Sequence, residues 1–155
     1  VLVRSILVPL LLVFSPALAF YPAAKVSEAR AEVIYVGGYL RDGTLAQALL
    51  EALKRGVVVK LYTSSYTYLD DRSYFLGLYL AGAKLYLGLV PRYYLVVDGV
   101  PVAWGEKEGD LREIPPEAAP TVLNDLKRVQ SSSLGFALPP DVLTRALLER
   151  ARRSR

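Results

Sequence analysis

From residue 31 to residue 106 short apolar runs alternate with stretches whose apolar positions recur every three or four residues. The first run, "EVIYVGGY", predicts a strand over Glu32–Tyr39 closing on Gly37-Gly38. Asp42-Gly43-Thr44 then supplies an N-cap for "LAQALLEALKR", where Leu45, Ala48, Leu49, Ala52 and Leu53 share one helical face. Gly56 stops that helix, and "VVVKLYT" (57–63) follows as a β-branched run of the kind that is covered on both faces. Strand, helix and strand in this order predict a parallel pair joined by a crossover.

The polar loop "SSYTYLDDR" (64–72) leads to a second amphipathic helix, "SYFLGLYLAGA", ending at Gly82, and then to the strand "KLYLGL" (84–89). In "YYLVVDGVPVAWG" two apolar runs flank Asp98-Gly99, a hairpin signal. The Pro-rich, charged segment 106–120 has no periodicity and predicts a surface loop. Two helical pieces, Thr121–Gln130 and Pro140–Arg152, close the chain around "SSSLGFALPP". These elements predict one three-layer α/β/α domain with a mixed β-sheet over residues 20–155.

The N-terminus has a different pattern. Arg4, an apolar run from Ile6 to Phe14 and the small residues Ala17 and Ala19 form the three regions of a secretory signal peptide. Residues 1–19 are therefore expected to be removed, leaving an exported protein that begins near Phe20 (periplasmic, secreted or in the cell envelope). Val1 is compatible with a non-AUG start codon. The alternative for this run is a buried first strand or helix. It is short for a membrane span and is interrupted by Pro9.

At 53% hydrophobic and 22% charged, the 155 residues read as globular and sufficient for one core. Cysteine is absent, so no disulfide can form. Histidine is absent too, and Asn and Gln are scarce, which leans towards a heat-adapted source, while the excess of Arg over Lys fits genome composition equally. Without His or Cys only oxygen ligands remain. Asp70, Asp71, Glu106, Glu108 and Asp110 lack calcium-loop spacing, so no metal is expected. No Lys-Ser/Thr follows Gly37-Gly38 to make a phosphate loop, and no cofactor is expected.

All eleven tyrosines lie between Tyr21 and Tyr94. They fit either packing at the rim of a sheet or a stacking surface for sugars or bases. The tail "RALLERARRSR" carries five arginines against one glutamate, and the net charge is +4. Arg145, Arg150, Arg152, Arg153 and Arg155 fit either a helix C-terminus or contacts to an anionic partner such as nucleic acid.

The order of these parts resembles the phospholipase D superfamily, in particular its small single-domain bacterial endonucleases. The likeness runs through "VIYVGGYL", "RGVVVKLY", "AGAKLYL" and "VVDGVPVAWG". The family motif is H-x-K, four residues, Asp, six residues, then Gly followed by Ser or Gly. Asp98 and Gly105 stand at the right separation, but Pro91 replaces the His, Tyr93 the Lys and Glu106 the Ser.

The resemblance implies a covalent phosphohistidine and a lysine neutralising the phosphoryl oxygens. Pro91 and Tyr93 can supply neither, and no shifted alignment restores an imidazole to a chain without His. Read on the motif, Glu106 would also set a carboxylate beside Asp98, repelling a phosphate diester. The expected function is thus a non-catalytic binding or structural module, with Tyr39, Tyr93, Asp98, Trp104 and Glu106 lining a vestigial site and no catalytic residue.

Two alternatives stand beside that reading. One is a hydrolase with a rebuilt Tyr/Asp/Glu site, which needs Asp98 and Glu106 within about 9.5 Å. The other is a nucleic-acid binder acting through the C-terminal arginines. The resemblance also implies a homodimer facing across a twofold axis.

Overall fold

The computed structural model describes residues 20–137 and 140–153. The signal-peptide expectation and Arg155 lie outside the described residues. The elements in chain order are α1 (Pro22–Ser27), β1 (Glu32–Val36), α2 (Gly43–Lys54), β2 (Val58–Ser64), α3 (Phe75–Leu80) and β3 (Lys84–Gly88). They continue with β4 (Tyr93–Val97), β5 (Val100–Gly105), β6 (Arg112–Glu113), α4 (Ala119–Ser132), β7 (Leu134–Gly135) and α5 (Pro140–Arg153).

Among the described residues seven strands form one sheet in the order β6-β5-β4-β1-β2-β3-β7. β1, β2 and β3 run parallel, as the two strand–helix–strand units require, and β4 joins β1 antiparallel. The mixed sheet of the expected fold class is therefore present.

Alternation along the central strands builds two cores. Val33, Tyr35, Val59, Leu61, Leu95 and Val97 point to the face covered by α1, α2 and α3. Ile34, Val36, Tyr62, Tyr94 and Val96 point to the other face, covered by Val122, Leu126 and Val129 of α4. Local signals agree with this frame. The Asp42 carboxylate accepts from Thr44 N at 2.9 Å and Leu45 N at 3.2 Å, capping α2. Gly56 follows α2 at φ +87°, the left-handed position that favours glycine.

Four expectations need correcting. β1 ends at Val36, not Tyr39, because the chain turns away from the ladder at Gly37-Gly38 and the Tyr39 N–H bonds a side chain. The second helix is only Phe75–Leu80, because the residues before it form turns that tie Ser73 to Leu40. The segment 106–120 is not merely a loop: it contains a two-residue edge strand and two 3₁₀ turns. Residues 22–27, for which no element was predicted, form a helix whose Val26 is fully buried.

Candidate functional site

The carboxyl ends of β1, β2 and β3 meet the start of β4 and the end of β5 at one edge of the domain. Ligands of open α/β sheets bind at such an edge, outside the carboxyl ends of the strands, where the strand order reverses. That reversal falls between β1 and β4: β2 and β3 follow on one side of β1, and β4 returns to the other.

Tyr93 fills this edge. Its ring lies against Gly37, where a Cβ would stand 2.4 Å from Cδ1 and 2.5 Å from Cε1. The backbone and ring can approach so closely only because residue 37 has no side chain. Tyr39 N donates to the Tyr93 hydroxyl at 3.2 Å, and the Tyr35 ring meets the Tyr93 ring edge-on at 6.4 Å. The Tyr35 hydroxyl donates to Tyr39 O at 2.6 Å.

Neighbouring loops hold this cluster. Thr67 Oγ1 donates to Gly38 O at 2.5 Å, and Ser73 Oγ accepts from Leu40 N at 2.9 Å. Glu108 reaches over from the loop after β5 to accept from Arg41 N and, at 2.7 Å, from Asp42 N. Arg41 stacks over the Tyr39 ring at 3.9 Å and pairs with Asp70 at 3.2 Å.

The electrostatics keep both tyrosines neutral. Burial raises the Tyr93 hydroxyl above the ordinary tyrosine range, and the Glu108 charge adds to the effect. Burial raises Tyr35 well above that range, again with Glu108 contributing. A tyrosine nucleophile must lose its proton, and this environment opposes the loss.

Tyr39 and Tyr93 are thus brought together, but the other expected site residues are not. Asp98 sits in the β4–β5 turn, at φ +50° beside Gly99 at +80°. Its Oδ2 accepts from Arg30 N at 3.0 Å, and its Oδ1 from Ala31 N at 2.8 Å and Glu32 N at 2.9 Å. The bonds from Glu32, Arg30 and Ala31 hold its carboxyl below the usual carboxylate range.

Glu106 lies at the far end of the same hairpin, next to Gly105, which pairs with Tyr93. The expected juxtaposition of Asp98 and Glu106 is corrected: Asp98 lies five positions along the strand from Tyr93, the partner of Gly105, about 17 Å at 3.4 Å per residue. The rebuilt Tyr/Asp/Glu site loses its premise, and so does the repulsion of a phosphate by paired carboxylates.

Glu106 instead forms an ion pair with Arg92, whose guanidinium lies 5.7 Å from the Trp104 ring. Trp104 packs with the α4 core, on the opposite side of the sheet from Tyr93.

Two of the C-terminal arginines contact the loop at Asp71 on the surface. Arg153 pairs with Asp71, and Arg150 donates to Asp71 O at 3.3 Å. Arg145 and Arg152 are exposed on α5. Arg150 and Arg153 thus already have partners on the protein's own surface, while Arg145 and Arg152 have none among the ion pairs of the described residues.

Gly37, Thr67, Glu108 and Arg92 were not among the expected residues. Gly37-Gly38 directly after a strand was the visible signal for the first. Glu108 sits in an aperiodic charged run that marks no partner. Among the described residues no group of three or more His, Cys, Asp or Glu could hold a metal ion. Among them, too, no helix is long and apolar enough to cross a membrane.

No protein-family profile and no curated protein matches the chain by sequence. Its structure is similar to that of Nuc, a phospholipase D family member from Salmonella typhimurium, with a TM-score of 0.56 and 15% identity. The match covers 76% of this chain and 89% of that one. The chain has a phospholipase D-like α/β fold.

Proposed function

We propose that this protein is an exported, phospholipase D-like domain that has lost the His and Lys of the catalytic motif and serves as a binding or structural module. The observation that carries the reading is Tyr93. Its neutral ring lies across Gly37 at the ligand-binding edge of the fold, at the position the resemblance gives to a lysine. A neutral phenol cannot balance a phosphoryl charge, and these 155 residues offer no imidazole to attack phosphorus. Export is supported by the residue pattern at 4–19.

The test has two arms. Purified protein incubated in chelator with bis(p-nitrophenyl) phosphate, phosphatidylcholine and plasmid DNA should give no turnover above buffer. Turnover that Tyr93→Phe abolishes would overturn the catalytic half in favour of a tyrosine-based site. N-terminal sequencing of native protein should start at or near Phe20 in material from outside the cytoplasm. An intact Val1 in an unanchored cytoplasmic species would overturn export.

A further inference from the structure

The opposite face of the sheet carries a cavity of about 530 Å³ between the β3–β4 connection and one flank of α4. Alternation along β4 separates it from the site above, since Tyr93 and Tyr94 point to opposite faces. Its volume lies within the roughly 300–1,000 Å³ typical of small-ligand sites.

Apolar side chains make most of the wall: Leu89 and Val90 from the connection, and Val129 from α4. Leu89 is 78% exposed, an apolar side chain held in water at the mouth. Leaving it there costs free energy that an apolar ligand would recover.

The polar groups are few and converge. The Tyr94 hydroxyl donates to Asp125 Oδ2 at 2.7 Å. Burial, together with the Asp125 hydrogen bond and charge, pushes Tyr94 up to about 12, so the phenol stays a neutral donor and the pair is closed on itself. Arg92 is held by Glu106. Arg128 also lines the cavity and takes part in no ion pair among the described residues. The lining therefore presents two guanidiniums against one carboxylate, and that carboxylate already has its partner. A planar guanidinium beside an apolar trough suits a carboxylate on a single alkyl chain.

We propose that this cavity binds a medium-chain alkyl carboxylate, its chain along Leu89, Val90 and Val129 and its head group on Arg128. The proposal does not depend on the loss of catalysis, because the two sites lie on opposite faces of the sheet.

The full chain is titrated with decanoate and, separately, with decanol, followed by amide chemical shifts. Decanoate should shift residues of 89–92 and 125–132 selectively. Arg128→Glu should weaken decanoate by roughly tenfold or more while leaving decanol within about twofold, the size expected when a charge-assisted contact is lost. Leu89→Asp, at an exposed position, should weaken both ligands.

Equal loss of both ligands in Arg128→Glu would overturn the carboxylate assignment. Binding only to anionic lipid vesicles, and not to monomeric decanoate, would overturn it in favour of a membrane surface. A wild type that light scattering shows as a dimer, dissociated by Leu89→Asp and indifferent to decanoate, would assign the patch to a second copy and overturn the ligand site.

Discussion

Gly37→Ala will unseat Tyr93 and destabilise the fold by about 1–3 kcal/mol, the usual cost of forcing extra volume into a packed site. The added Cβ would stand 2.4 and 2.5 Å from two ring carbons of Tyr93 and 3.1 Å from Tyr35 Cε1. Neither ring can yield freely. Tyr35 is fully buried, and Tyr93 is fixed at one end by its pairing with Gly105 and at the other by the Tyr39 N–H. Removing the ring should therefore remove the conflict. In the Tyr93→Ala background Gly37→Ala should cost a small fraction of its effect in the wild type. That gives a coupling between the two positions of about 0.5–3 kcal/mol. Urea unfolding of wild type, both single variants and the double variant measures it. Strictly additive costs would mean that Tyr93 does not rest on Gly37, and the reading of this edge as filled by the protein's own side chain would fall.

What could be read from the residues follows from how each element is stabilised. β1, β2 and β4 were legible because both their faces are buried and their sequences are almost continuously apolar. α2 was legible because cap, apolar stripe and stop glycine all agree. The edge strands Arg112–Glu113 and Leu134–Gly135 were not, since two residues carry no periodicity and gain their conformation only from the strand beside them.

At the site, Tyr39 and Tyr93 were singled out, but their contact joins positions 54 apart and depends on Gly37. Asp98 was misplaced for a reason the residues did contain: the four positions between Tyr93 and Asp98 belong to one strand. With Gly105 paired to Tyr93, motif spacing therefore meant that Asp98 and Glu106 lie at opposite ends of the hairpin, not that they meet in space. The arginine tail was read for its sign alone. Its acidic partner lies about eighty residues earlier, in a loop with no pattern to pair it.

Asp98 should prove to be a structural residue whose loss lowers the melting temperature without touching any ligand. It does two things at once. Its backbone takes the left-handed conformation of the first turn position, and its carboxylate gathers three N–H groups that lead the chain into β1. Three substitutions separate these roles. Asn tolerates positive φ and keeps one accepting oxygen; Gly keeps the conformation and loses the acceptors; Ala loses both. The melting temperature should fall in the order wild type, Asp98→Asn, Asp98→Gly, Asp98→Ala. The acid dependence follows from the sign of the shift. The N–H bonds hold the folded-state pKa below that of the unfolded chain, so the charged carboxylate contributes fully above about pH 3.9. Its contribution is lost as the pH falls through the depressed folded value. The gap in melting temperature between wild type and Asp98→Asn should therefore be constant from neutral pH down to about 4 and close below it. A gap that stays open at the acid end, or an Asn variant as stable as wild type throughout, would show that the three backbone bonds do not depend on the charge of Asp98.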